Sequence, residues 1–439
     1  MAQTISQKSA TAIGLGAIIG AGIFVLSGTA ISLAGKYALL SFILVGVIAL
    51  IVAFELGELG SIMPNAQGAS YSYIREAFGN EMGFISGILL YFSYVSSISV
   101  IALGFSDYLS SLLGVSGSAF KIGITLLLIV VLAIVNILGV SKAAKVELWL
   151  VSFKISVLII LVTFAFIFSY FDHFANMGNF TALPDQASFK GVFGASVAVF
   201  FAYAGFQSIS TITAEVKGGA KGAAKSIISA VSISLVLYVV VALALMFLAP
   251  ASSYGISGDP IAFALGRSNA PLSLSILIKI GALVATTSAS LAMILSSSRI
   301  IHQLGTDGML PGIVGKYDQK RDVPINGVII STILALPFLF LGNIYVIAAV
   351  SNFGLIFSYI MASLSVFKFR RVSRNAEFKT PYFPYLSIVA IVALLLLIFG
   401  MPTESLVVGV ITLISLMVVY QFLRKEMPSS VSKGRLFGS

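Results

Sequence analysis

The sequence predicts an all-α integral membrane protein of twelve transmembrane helices, and three observations carry that prediction. Of its 439 residues, 58% are hydrophobic and only 10% charged, a mean hydropathy of +1.06 that no water-soluble domain of this size sustains. Uncharged apolar runs of about 18 residues or more, long enough to span hydrocarbon, recur from end to end. Between them lie only short segments, so a length that would suggest about three soluble domains reads as one membrane domain.

Turns, charges and Pro/Gly clusters bound spans at 10–34, 38–62, 82–113, 120–140, 148–170, 191–214, 226–249, 273–301, 325–342, 344–367, 384–401 and 403–423. A helix rises 1.5 Å per residue, so about 20 residues cross the bilayer and the longer runs tilt or enter the headgroups. The first run is too long and too lightly charged at its start for a cleavable signal peptide. The expected organisation is an N-terminal tail (1–9), five spans (10–170), five more (191–367), two further spans (384–423) and a C-terminal tail (424–439).

An even span count puts both termini on one side, and the basic residues say which. Of 26 Lys and Arg, 20 fall on the side of the termini, five (Lys36, Lys121, Lys190, Arg267, Lys279) face the other way, and Lys154 lies inside a span. By the positive-inside rule the termini are cytoplasmic, at the cell membrane. Topology thus accounts for the net charge of +10 without nucleic acid. The absence of cysteine excludes disulfides, thiolate chemistry and Cys-ligated metals, and His173 and His302 form no metal-ligand spacing. No cofactor or metal is expected, and without convergent nucleophile, base or metal ligands neither is an enzyme.

The first span carries Gly14, Gly16, Gly20 and Gly22 in GLGAIIGAGIF, a density that weakens helix where unpaired backbone groups are costly. Small-residue packing between helices is one reading. A dinucleotide fingerprint is excluded, because no strand precedes it and no acid stands about 20 residues on. The sixth span has a second interruption in FFAYAGFQS, with Gly205 about halfway through the bilayer and about 185 residues from the first. Corresponding broken helices in two halves point to inverted repeats, spans 1–5 matching 6–10, with a site where the breaks face each other. Freed N–H groups there suit a carboxylate and freed carbonyls an ammonium, which together make a zwitterion.

These residues also carry a resemblance. Ile19-Gly20-Ala21-Gly22-Ile23-Phe24, then Glu58-Leu59 with Pro64, Gly68, Tyr71, Tyr73 and Phe78-Gly79, follow one another in order. Asn136-x-x-Gly139, Phe201-Ala202-Tyr203-x-Gly205-Phe206, Ala214-Glu215, Arg299, Asp307-Gly308-x-Leu310-Pro311, Pro324-x-Asn326 and Thr380-Pro381 continue the order. Over residues 9 to 425 the chain resembles amino acid–polyamine–organocation (APC) permeases. The resemblance implies a five-plus-five inverted repeat shared with sodium-coupled neurotransmitter transporters, helices 1 and 6 broken, two further helices, and alternating access. It places a substrate carboxylate on the N–H groups of Ala21, Gly22 and Ile23, and the amino group on carbonyls near Ile18 and around Phe201, Ala202 and Ala204. Phe201 would be the lid closing the site from outside.

Lys154, in WLVSFKISVLIILV, is costly in a membrane unless paired or hydrated. Roughly 9 Å from the end of its span, it could also snorkel. The resemblance implies the subset with a fifth-helix lysine at the sodium position of relatives, surrounded here by the Gly16 carbonyl, Thr287 and Ser288. A lysine that can lose its proton there makes proton symport without sodium the expectation.

Glu55 and Glu58 share one face of the second span. Glu58 is expected to partner the first or sixth helix near the cytoplasmic gate, and Glu215 to help hold that gate, although Val216 and glycines replace the acid and Asn-Pro that usually follow. Glu55 could pair with Lys154 or bind the coupling proton. Gln207 is neutral where many relatives are acidic, which with Ala202 and Ala204 favours neutral amino acids over arginine or polyamines. Ser351 and Asn352 are candidates for a side-chain pocket or for plain helix–helix hydrogen bonds. The expected activity is uptake of an amino acid with protons across the lipid bilayer. An obligate exchanger, a cationic amino acid or polyamine permease, a channel and a non-transporting receptor are the alternatives.

Overall fold

A computed structural model of the chain describes residues 5–20, 22–66, 68, 70–139, 143–171, 189–255, 258–268, 270–341 and 343–426. Ala21 and His173 lie outside them. The described residues are helical, with two isolated bridges and no strand. The helices are α1 (Gln7–Ile18), α2 (Ser27–Ala34), α3 (Ala38–Ile62), α4 (Ser70–Phe78), α5 (Asn80–Leu113), α6 (Ser118–Leu138), α7 (Ala143–Phe171) and α8 (Phe189–Ala202). After them come α9 (Gly219–Leu248), α10 (Pro260–Arg267), α11 (Leu272–Thr306), α12 (Ile325–Ala335), α13 (Ile344–Arg371), α14 (Tyr385–Ile398) and α15 (Thr403–Glu426).

Nine helical stretches among the described residues are long and apolar enough to cross a membrane, the first covering α1 to α3 without division, and two shorter apolar helices accompany them. Their exposed faces are apolar, as Val407, Ile411, Ile414, Val418 and Phe422 on α15 show, a pattern that suits lipid rather than water. Helix α5 is enclosed over most of its surface, packing on α11 and α13, while α3 packs on α9 and keeps an exposed apolar side at Leu40, Ile43, Leu44 and Val47. Side chains cap the starts of α1 and α13. Ser6 Oγ accepts from Ser9 N at 3.1 Å at the start of α1, and Asn343 Oδ1 from Val346 N at 3.0 Å at the start of α13.

Several bounds differ from the sequence expectation. The expected 226–249 span begins at Gly219, because Lys221 and Lys225 ride on an exposed face of the same helix. The expected 273–301 span runs on to Thr306, carrying Arg299 and His302. The 325–342 span tightens into a 3-10 turn at Leu336–Phe340, where Pro337 supplies no N–H to an α-helix. The 384–401 span is helical only over Tyr385–Ile398. Helix α4, short and amphipathic, had no apolar run to announce it.

Both expected interruptions are present. Helix α1 stops at Ile18, residues 19 and 20 are non-helical, and a π-helical segment, Gly22–Leu26, leads into α2. Helix α8 stops at Ala202, a turn covers 203–205, and a 3-10 segment, Phe206–Glu215, follows.

Candidate substrate site between the helix breaks

The two breaks touch, and glycine is what permits it. A Cβ on Gly22 would lie 2.1 Å from Ala202 Cα, a backbone overlap that nothing nearby can relieve. Gly205 has φ of +107°, which side chains rarely adopt, and a Cβ there would sit 2.9 Å from the Ala17 carbonyl oxygen. Gly20 faces Ala289 of α11, where a Cβ would come within 2.5 Å of the alanine methyl.

Freed backbone groups gather around this contact. The Tyr238 hydroxyl of α9 lies 2.7 Å from the Ile18 carbonyl and 3.1 Å from that of Ala202, so one side chain reaches the end of each broken helix. The N–H groups of Gly22 and Ile23 open the helical run continuing through α2, where intrahelical acceptors are lacking. Phe201, Ala202 and Ala204 are buried at the second break. The touching breaks thus bring backbone carbonyls and N–H groups together, the Ile18 carbonyl also accepting from the Gly20 N–H at 2.7 Å and the Phe201 carbonyl from the Ala204 N–H at 3.1 Å.

Lys154 is fully buried, its Nζ 3.3 Å from the Gly16 carbonyl of α1. Helix α11 packs against α7, and its Thr287 and Ser288 hydroxyls donate to the Leu283 and Ala285 carbonyls of their own helix at 2.7 and 3.4 Å. Gln207 is also fully buried: its Nε2 donates to the Tyr94 hydroxyl at 2.5 Å, and Ser70 Oγ donates to its Oε1 at 3.3 Å while lying 2.7 Å from Ser358 Oγ. The 206–215 segment, α5 and α4 therefore meet at this amide, and Ser70 links it on to α13. Ser351 bonds Ser93 and Ser97 of α5, and Asn352 Nδ2 donates to the Val197 carbonyl at 2.6 Å, so both join helices.

One acidic expectation needs correction, and the alternatives left open for Glu55 narrow. Glu58 reaches neither the first nor the sixth helix: Arg370 of α13 grips it through Nε and a terminal nitrogen at 2.7 and 2.8 Å, and the Thr380 N–H adds a third bond at 2.7 Å. The sequence reading missed Arg370 because it looked like one more positive-inside charge. Glu55 meets Ser363 of α13 at 2.5 Å and not Lys154. Near the expected inner gate, Ile5 N–H donates to the Glu215 carbonyl at 3.0 Å and Lys217 N–H to the Ile5 carbonyl at 2.8 Å, strapping the chain start to the end of the second broken helix.

On that same face lies a cavity of about 570 Å³, lined by Ile62, Met63, Asn65, Arg75, Glu76, Gln303, Asp307 and Arg374 among others. Ion pairs Arg75–Asp307 (2.6 Å) and Arg374–Glu76 (2.7 Å) border it. Tyr71 donates to Asp307 at 2.6 Å; burial, then the Asp307 charge, push its phenol well above the ordinary value and keep it a donor.

An all-helical, multi-pass membrane protein whose two broken helices meet at their interruptions is built like a carrier. A sequence model of the family described as "Amino acid permease" matches residues 9–427, and the chain belongs to that family, within the APC superfamily. It is similar to the Methylthioribose transporter of Bacillus subtilis (strain 168), 28% identical with 92% of this chain and 89% of the relative covered. It is 29% identical to the Branched-chain amino acid permease BcaP of Lactococcus lactis subsp. cremoris (strain MG1363), with 92% and 90% covered. To the Cationic amino acid transporter 7, chloroplastic, of Arabidopsis thaliana it is 26% identical, with 90% and 70% covered. The family and these relatives are transporters, not enzymes.

Proposed function

We propose that this permease takes up neutral amino acids by alternating access, driven by protons and without sodium. In this reading it has twelve spans in the cell membrane, cytoplasmic termini and a five-plus-five inverted repeat. The substrate carboxylate binds at Ala21, Gly22 and Ile23, and the ammonium at the carbonyls of Ile18, Phe201, Ala202 and Ala204, with Phe201 as outer lid. Glu58 and Glu215 steady the inner gate.

The observation that carries the coupling is the Lys154 ammonium against the Gly16 carbonyl, a cation held by the first broken helix next to its interruption. A protonated lysine there does the work of a bound metal cation, with Thr287 and Ser288 on the adjoining helix, and its proton loss loosens the same helix. Neutral substrates are favoured because Gln207 brings no negative charge to the site and one relative is named for branched-chain amino acids.

The test is uptake of labelled amino acids into proteoliposomes under an inward proton gradient, with and without sodium, for wild type and Lys154→Ala. Gradient-driven, sodium-independent uptake that the substitution abolishes is expected. Uptake only into amino acid-loaded vesicles would make the protein an exchanger, and absence of amino acid flux in every condition would overturn the substrate class.

A further inference from the structure

Glu55 is a second ionisable group buried in the membrane domain, and the coupling described above does not use it. It sits on α3 with no exposed surface. Its Oε2 lies 2.5 Å from Ser363 Oγ on α13, while Oε1 is buried without a hydrogen-bond partner. No ion pair among the described residues includes it.

The cations that could neutralise it lie elsewhere. Helix α13 carries Lys368, Arg370 and Arg371; Lys368 and Arg371 are exposed and Arg370 is committed to Glu58, while Lys379, next to the Phe378 ring that stacks on Phe54, is exposed as well. Helix α9 carries Lys221 and Lys225 on its exposed face, and the 206–215 segment contributes only Glu215. Helix α14 has no charged residue, and Lys190 belongs to the end of α8 that meets Ser41, far along α3 from Glu55. A bare carboxylate in such a place is strongly disfavoured.

Hydrogen counting points the same way. Ser363 Oγ lies 3.0 Å from the Tyr359 carbonyl as well as against Glu55, and a hydroxyl has one hydrogen to give. A carbonyl has none. Each contact has a hydrogen of its own only when Glu55 is the neutral acid, giving its proton to Ser363 while Ser363 gives its own to Tyr359; with Glu55 ionised, the one serine hydrogen is shared between two acceptors. The ionised form also has donors to turn to: Ser363 can rotate its hydrogen, and Ser387 of α14, buried without a hydrogen-bond partner, faces the same carboxyl. The site therefore accommodates both protonation states, one bonding α3 to α13 alone and the other drawing on α14.

We propose that Glu55 is a proton-carrying residue of the transport cycle, distinct from Lys154. It is neutral while α3 and α13 pack as they do here, and ionised once their separation lets water reach it. One turn away, Glu58 holds the same two helices as a charged clamp on Arg370, so the interface combines a fixed ion pair with a titratable bond. The link to transport rests on the proton-coupled reading above; the protonation state of Glu55 does not.

The experiment uses the full chain in lipid. Infrared difference spectra over a base titration should show loss of a protonated-carboxyl carbonyl stretch in wild type and in Lys154→Ala. The band should be absent in Glu55→Gln and shifted in Ser363→Ala. Glu55→Gln keeps the neutral shape, so it should retain counterflow of a labelled neutral amino acid yet lose proton-driven accumulation. A spectrum without a Glu55 band, or unaltered proton-driven accumulation in Glu55→Gln, overturns the proposal. Should wild type not accumulate substrate under a proton gradient, the reading above fails and the pH dependence of counterflow decides for Glu55: flattened in Glu55→Gln it upholds the proposal, unchanged it sinks it.

Discussion

At the scale of single residues, the contact between the breaks leaves no room for growth. Gly22→Ala would drive a methyl into the Ala202 backbone. It is expected to cost at least the about 1–3 kcal/mol of ordinary overpacking and to abolish uptake in protein that still reaches the membrane. Thermal melting and uptake of the purified variant check both parts. Arg370→Ala strands Glu58, 1% exposed beside a guanidinium that is 26% exposed, and should cost about 3 kcal/mol, the low end for a broken buried pair. Glu58→Gln in the same background should recover most of that stability, a difference visible in the melting temperature. Gln207→Glu adds a negative charge to the Tyr94–Ser70–Ser358 network and should move substrate preference toward arginine and lysine, read by competition against labelled leucine. A lone cation in an apolar span demands a partner or water, but that the Gly16 carbonyl is the partner was implied by the family resemblance and not by the span itself. The Glu58–Arg370 pair was not legible, because charge counting gives a basic residue a side of the membrane and no contact.

At the scale of elements, glycine density foretold the first break and the mid-span Gly205, amid aromatic and polar residues, the second, but nothing foretold what holds their ends. Tyr238 lies mid-span in α9, where an isolated tyrosine reads as packing, and only the folded arrangement brings its hydroxyl to two carbonyls from different helices. Helix α4 likewise escaped notice, since its nine residues are too short and polar for a hydropathy window, yet it supplies Ser70, Tyr71 and Arg75 to two separate networks. The strap between Ile5 and residues 215–217 ties the chain start to the second broken element. Ile5→Pro removes the N–H that Glu215 accepts and should loosen this end. A cysteine placed at Thr213 should then react faster with a thiol reagent than in an otherwise unaltered chain.

At the scale of the whole molecule, composition and the length of the apolar runs disclosed an all-helical membrane body, while boundaries shifted where α9 and α11 extend with their charged or polar residues and where Pro337 tightens the span ahead of α13. The sidedness argument can be tested directly because the chain has no cysteine of its own. A single cysteine replacing Lys320 should react with an impermeant reagent only in inverted vesicles, and one replacing Lys121 only in intact cells. Tyr238 has a further consequence, which concerns the carrier when it holds no cargo. Its one hydrogen serves a pair of carbonyls that an ammonium, with three, would satisfy more fully. In the alternating-access cycle proposed above, the phenol would stand in for the substrate ammonium during the unloaded reorientation, the return leg that separates a net importer from a swapping carrier. Tyr238→Phe should therefore slow net uptake while sparing one-for-one swapping, turning an importer toward an antiporter by removal of a single oxygen atom.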